Sequence, residues 1–301
     1  MGNILVSGLT NMETTLNIND FPIDYYPINF PFFGVNSSVS GVGYNVAKAL
    51  TVLGDNVNFL SIIGKDIIGE IAINTIKKNN ISDKYIKKII NETSNSVIIY
   101  DNDGRRQIHC DLKDLQEIKY PIELFKEAAT GVDIVCLCNI NFSRPFLELA
   151  KRMGKIIATD VHAISDIEDQ FNMDFMKNAD ILFMSDEWLP CYPEKWVKWI
   201  WAKYSPEIIV VGLGNEGLLL AVKGDNFIQR IATVKTRPVI NTIGAGDSLF
   251  ASFIHYYNKT RNPYKSIKNA LIFASYKIGE KGGGDGFLTE DKIEEWYKKI
   301  Y

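Results

Sequence analysis

The chain has 301 residues, 46% of them apolar and 23% charged, with a net charge of −3 at pH 7. That composition supports one large core and argues against nucleic acid as a partner, because Lys and Arg form no basic stripe. The longest apolar runs, near 208–212 and 218–222, are strand length and far short of a bilayer span, so no membrane partner is expected.

The amino terminus shows neither a basic leader nor a myristoylation pattern, which points to a cytoplasmic protein. Its four cysteines have no metal-ligand spacing, and its three histidines are scattered. Cys136 and Cys138, two apart on a predicted strand, share one face as small apolar residues.

Residues 4–8, Ile-Leu-Val-Ser-Gly, read as a buried strand closed by glycine. Asn11 and Glu13 follow just beyond its C-terminal end, where open α/β sheets bind ligands. From 21 to 33, Tyr25, Tyr26, Phe30, Phe32 and Phe33 alternate with Pro22, Pro27 and Pro31, which excludes a helix interior or a central strand. An irregular β segment laid over another surface is expected there. Ser40-Gly41-Val42-Gly43-Tyr44-Asn45 then opens a helix to about Leu53, and the Asn45 amide can donate and accept toward a diol.

A strand at 58–63 precedes a helix at 67–79, for which Asp66 is a candidate cap. Residues 96–100 and 107–110 flank a hairpin tip that carries Arg105 and Arg106, expected to be solvated unless they reach an anion. From 133 onward, strands at 134–138, 155–159, 181–184 and 208–211 alternate with helices at 143–153, 170–178 and 193–204. Such alternation predicts a mainly parallel sheet, with Asn139, Asn141 and Asp160 at strand ends. Gly212-Leu213-Gly214-Asn215-Glu216-Gly217 spells G-x-G-x-x-G, but a strand at 218–222 follows where a dinucleotide fingerprint needs a helix. A hairpin is expected instead.

Asn241-Thr242-Ile243-Gly244-Ala245-Gly246-Asp247 runs from a glycine turn into an apolar helix with a carboxylate at its mouth. Free N–H groups at a helix start hold anions, and small residues at 244–246 let a phosphate approach the main chain. Asp247 is either a cap for that helix or a general base beside the anion hole. A helix at 265–280, the glycine cluster 282–286 and an amphipathic helix at 289–300 complete the chain.

The Asn-Thr-x-Gly-Ala-Gly-Asp stretch with the following Ser-Leu-Phe-Ala-Ser-Phe resembles the C-terminal signature of the ribokinase-like (PfkB) carbohydrate and nucleoside kinases, which usually begins Asp-Thr. The resemblance implies a single domain over 1–301: a three-layer α/β/α sandwich with a mainly parallel central sheet and a small β lid from about 14–36 and 95–111. It implies ATP-dependent phosphorylation of a sugar or nucleoside hydroxyl, with Asp247 as base and Gly244, Ala245 and Gly246 as anion hole. Asn11, Glu13, Gly41, Gly43, Asn45 and either Asn139 or Asn141 would hold the acceptor. Gly212, Gly214, Gly217, Thr242, Gly283 and Gly284 would border the nucleotide, and Asp186 or Glu187 would serve Mg2+.

This chain departs from the pattern at Glu13, where Asp is more usual, at Ser40, which replaces a glycine, and at 185–188. Asn241 stands where an acid often helps bind a monovalent cation, so only weak dependence on potassium is expected. The resemblance also allows a homodimer through the lid. The competing class is a sensor that keeps the fold without catalysis.

Overall fold

In the computed structural model, which describes residues 2–301, the apolar runs become the middle of a nine-stranded sheet. In chain order, β1 (Asn3–Ser7), β2 (Asn11–Asn17) and β3 (Val35–Ser40) precede α1 (Val42–Val52). Next come β4 (Asn56–Gly64), α2 (Ile67–Lys78), β5 (Ile86–Ile90) and the hairpin of β6 (Asn95–Tyr100) and β7 (Arg106–Asp111). Helix α3 (Ile122–Ala128) leads to β8 (Ile134–Leu137), α4 (Phe146–Arg152), β9 (Ile156–Ala163), α5 (Met173–Asn178) and β10 (Ile181–Ser185). After α6 (Pro193–Lys203) and β11 (Ile208–Gly212), β12 (Leu218–Val222) and β13 (Phe227–Ile231) form a meander, and α7 (Ala245–Thr260), α8 (Pro263–Lys277) and α9 (Glu290–Ile300) close the chain.

The large sheet has the order β13-β12-β11-β10-β9-β8-β1-β4-β5, and its pairings are parallel except those of β12. Both faces are covered, which is why its strands read as continuous apolar runs. Ile4 and Val6 of β1 face one cluster with Leu50, Ile76, Phe253, Ile267 and Ile293 from α1, α2, α7, α8 and α9. Leu5 faces the other, with Phe125, Phe146, Phe175 and Trp196 from α3 to α6. The result is the expected α/β/α sandwich, each large buried side chain contributing roughly 1.5–3 kcal/mol relative to exposure. Asp66 caps α2 as predicted, accepting from the Gly69 N–H at 2.9 Å.

A second, four-stranded sheet has the order β3-β2-β6-β7. Its strands correct the sequence reading in two places. Asn11 and Glu13 lie within β2 rather than in a loop after β1, and they share its buried face with Thr15. The aromatic stretch is not a strand and, apart from Phe21 against Arg105, its rings stand in solvent: Tyr25, Phe32 and Phe33 are 88%, 85% and 94% exposed. Its cause is local, since three prolines remove the N–H donors that pairing needs.

The strand order reverses between β1 and β8, where open α/β sheets leave a ligand crevice beyond the carboxyl ends of the strands. Gly8 follows β1 there, and α1 starts directly on it: a Cβ at Gly43 would lie 2.4 Å from the Gly8 carbonyl carbon. That approach seats Asn45 at the crevice. Gly43→Ala is expected to cost about 1–3 kcal/mol through forced backbone shifts. Gly246→Ala, where the nearest atom would be 3.8 Å away, should cost nothing; equal denaturation midpoints for the two variants would contradict this packing.

Candidate active site

Helix α7 begins at Gly244, whose left-handed φ of 73° favours glycine and whose missing Cβ admits the Gly283 carbonyl, 2.3 Å from where that atom would lie. Asp247 sits in the first turn but does not cap the helix. Its Oδ2 instead accepts from Asn45 Nδ2 of α1 at 2.8 Å. The carboxylate is therefore held at the crevice, beside the exposed Gly246. Burial raises the Asp247 carboxyl above its ordinary value; Asn45, His162 and Lys277 oppose that, while Asp160 adds to it.

The network continues into the small sheet. Asn45 Nδ2 also donates to Ser40 Oγ at 3.2 Å, and that hydroxyl donates to Glu13 Oε2 at 2.9 Å. Glu13 is 6% exposed, and burial is the main cause of its raised carboxyl pKa. Its second oxygen, Oε1, is buried with no well-formed hydrogen bond; the Gly283 main chain lies near enough to pull the pKa back down but not to satisfy that oxygen. On the same strand face, Asn11 donates to Ser96 Oγ at 2.9 Å and leaves its own Oδ1 unpaired. Two buried acceptors thus await donors, each costing about 1–3 kcal/mol while unpaired.

The glycine cluster packs over this network rather than beside Gly212. A Cβ on Gly283 would lie 3.3 Å from both Glu13 Oε1 and Asn45 Nδ2, and one on Gly284 would lie 2.9 Å from Asn45 Oδ1. Asn139 and Asn141 are engaged elsewhere. Asn139 donates to Asn172 at 3.0 Å, while Asn141 donates to the Gln116 carbonyl at 3.0 Å and accepts from Arg144. Gly41, with φ 104°, precedes α1 and lies against the Leu9 carbonyl.

At the C-terminal end of β11, Gly212 and Gly214 border the predicted hairpin, and Gly217, with φ 105°, has no room for a Cβ beside the Ile231 carbonyl. The Asp186 N–H donates to the Gly212 carbonyl at 3.0 Å, and burial raises its carboxyl pKa. Glu187 pairs with Arg106 at 3.4 Å, and Arg106 also donates to Thr242 Oγ1 at 3.1 Å. One exposed arginine of β7 so ties the small sheet to the turn before α7. Arg105, by contrast, is spent on Asp101 at 2.7 Å within its own hairpin tip. No cluster of three or more His, Cys, Asp or Glu suited to a metal ion occurs among the described residues.

No sequence signal marks Lys277. A lysine in the last turn of a helix ordinarily complements the dipole from solvent. Here it is 0% exposed and its Nζ donates to the Ile243 carbonyl, one residue before Gly244. Burial pushes its pKa down to about 8, against the pull of Asp247 and Glu13.

A family model described as pfkB family carbohydrate kinase matches residues 1–290. The chain is 25% identical to a ribokinase of Dictyostelium discoideum, covering 97% of this chain and 99% of that protein. It is 21% identical to a deoxyribokinase of Salmonella typhi, with 98% of each covered. A solved ribokinase from Giardia lamblia shares the fold with a TM-score of 0.85 at 19% identity, over 100% of this chain and 99% of that one. With the family match running through the crevice, the Gly244–Asp247 turn and the glycine cluster, the chain belongs to the pfkB family of carbohydrate kinases.

Proposed function

We propose that this sugar or nucleoside kinase uses Asp247 as general base in transferring the ATP γ-phosphoryl group to an acceptor hydroxyl. The observation that carries the reading is the pair of unpaired buried acceptors, Glu13 Oε1 and Asn11 Oδ1, on the strand linked to Asp247 through Ser40 and Asn45. A polyhydroxylated ligand supplies the donors those oxygens lack, and it presents a further hydroxyl to Asp247. Asp247 does not cap its own helix, and its bond to Asn45 engages Oδ2, which leaves Oδ1 for an acceptor hydroxyl.

In this reading Asn45 orients the carboxylate while Asp247 takes the hydroxyl proton. The first N–H groups of α7, at 244–246, stabilise charge developing on the transferred group. Thr242, Gly212 and Gly214 border the nucleotide. Mg2+ suits a site with one or two carboxylates and substrate phosphates, and Asp186, or Glu187 if it is released from Arg106, would serve it. Gly283 and Gly284 belong with the acceptor, since they lie against Glu13 and Asn45. Asn139 and Asn141 have no part in that network.

The small sheet serves as the lid, with Arg106 as its contact to the phosphate side. Val35, Val97 and Ile108 remain 56%, 44% and 53% exposed on it, and β7 is an unpaired edge, so a homodimer through this sheet is part of the proposal. A cytoplasmic setting fits the four free cysteines, and no helix among the described residues is long and apolar enough to cross a membrane.

Acceptor-dependent ADP release across pentoses, hexoses and nucleosides tests the activity; a panel that yields none would contradict it. Asp247→Asn should lower turnover by about 10²-fold to 10⁴-fold. Because the folded pKa of Asp247 is raised, its ionised form costs stability above that pKa, so the variant should melt no lower than wild type. Turnover within a factor of two, or a clear drop in melting temperature, would count against the assignment.

Asn11→Ala and Glu13→Ala should weaken acceptor binding in isothermal titration and leave ATP binding nearly unchanged. The opposite pattern would move the acceptor site. The pH profile supplies a further check. Activity is retained above the Asp247 pKa and lost as pH falls through it, so kcat/KM should show a one-proton acid limb above the range of an exposed Asp.

A further inference from the structure

The resemblance to cation-dependent relatives would place a monovalent cation beside the turn that leads into α7, but the donors here do not fit one. Asn241 offers no charge, and both ends of its amide are occupied: Oδ1 accepts from the Ile243 N–H at 3.0 Å and Nδ2 donates to the Lys281 carbonyl at 2.9 Å. The Thr242 carbonyl accepts from the Ala245 N–H at 3.2 Å, and the Ile243 carbonyl is taken by Lys277 Nζ. We propose that the Lys277 ammonium is a built-in cation that replaces a dissociable ion, holding the 241–246 turn and the neighbouring Asp247 in place as a positioning residue.

Three observations support this. Lys277 is the one lysine or arginine among the described residues with a fully buried side chain, and it ends α8 directly beneath the start of α7. The two segments are already tied there, since the N–H groups of Ile240 and Asn241 both donate to the Ile278 carbonyl, at 2.8 and 3.2 Å. The charged groups acting on Lys277 are Asp247, Glu13, Asp285 and Glu280, all acidic. Asp285 has Lys48 at 3.1 Å and Glu280 has Arg237 at 2.9 Å, which leaves Lys277 as the buried counter-charge for Glu13 and, together with the more exposed His162, for Asp247. While protonated, below its pKa of about 8, a covalently attached ammonium provides that charge whatever the salt, whereas a bound ion is present only in proportion to its concentration.

The catalytic part of the inference rests on the kinase reading; the structural part does not. The test compares wild type, Lys277→Met and Lys277→Ala in potassium chloride, ammonium chloride and choline chloride at equal ionic strength, by thermal unfolding and by turnover. Wild type should show the same melting temperature and turnover in all three salts. Lys277→Ala should lose about tenfold or more of its turnover in choline, with kcat falling more than KM rises, and potassium or ammonium should recover part of it. The same ions should raise the melting temperature of Lys277→Ala saturably, which wild type should not show.

Tenfold activation of wild type by potassium would overturn the proposal, as would full turnover of Lys277→Ala in choline, or a folded Lys277→Ala whose melting and turnover ignore all three cations. Lys277→Met preserves volume and should lose turnover like the alanine variant; wild-type turnover there would also overturn it. If neither variant folds, the wild-type salt response decides alone. A wild-type protein that phosphorylates no acceptor would defeat the kinase reading, while the melting data would still judge the cation.

Discussion

The hydrogen bond from Asn45 to Asp247 joins residues 202 apart in sequence and fixes how three parts of the molecule meet. Its donor stands on α1, which can lie on the end of β1 only because Gly8 and Gly43 lack side chains. Its acceptor stands in the first turn of α7, whose entry requires the left-handed Gly244. Through Ser40 the same amide reaches Glu13, so polar contacts register the small sheet against the large one, alongside the apolar packing of Val39 in the main core and of Ile98 and Tyr100 on Ile243. A one-residue slip of β2 would turn Asn11 and Glu13 outward and break the network at its source.

Electrostatically the crevice is expensive. Asp247 and Glu13 both have raised carboxyl pKa values for which burial is the leading cause, and Lys277 is depressed for the same reason. Low dielectric penalises each charge separately and strengthens the attraction between opposite ones, so the cluster is tolerable only as a set. A base with a raised pKa accepts a proton more readily, provided it is ionised at the working pH. The unpaired oxygens on β2 follow the same logic: they cost stability in the empty protein and return it when a hydroxyl-rich ligand donates to them.

Much of the framework was legible because a sheet covered on both faces writes itself as apolar runs, as at β1, β8, β10, β11 and β12. The hairpin after Gly212 was legible from the strand that follows it, and Asp247 from the small residues before it. β2 was hidden for the opposite reason: its inward residues are Asn11, Glu13 and Thr15, so apolar periodicity had nothing to register. Glycine clusters signal a close approach without saying to what: the resemblance implies the nucleotide for Gly283 and Gly284, and the fold sets them against Glu13 and Asn45. Asn141 shows the ambiguity of a polar residue at a strand end, where local bonding to Gln116 and Arg144 competes with ligand binding. Lys277 could not be found at all, since only tertiary packing distinguishes a buried lysine from a solvated one at a helix end.

The central claim is that one polar network, running from Asn11 and Glu13 to Asp247, holds the acceptor and activates its hydroxyl. A crystal structure with a bound acceptor sugar or nucleoside tests it most directly. The account predicts one hydroxyl within about 3 Å of an Asp247 oxygen and others donating to Glu13 Oε1 and Asn11 Oδ1. An acceptor bound away from these side chains, for example in the open hollow of about 540 Å³ lined by Asp186, Cys191, Tyr192 and Lys195, would contradict it.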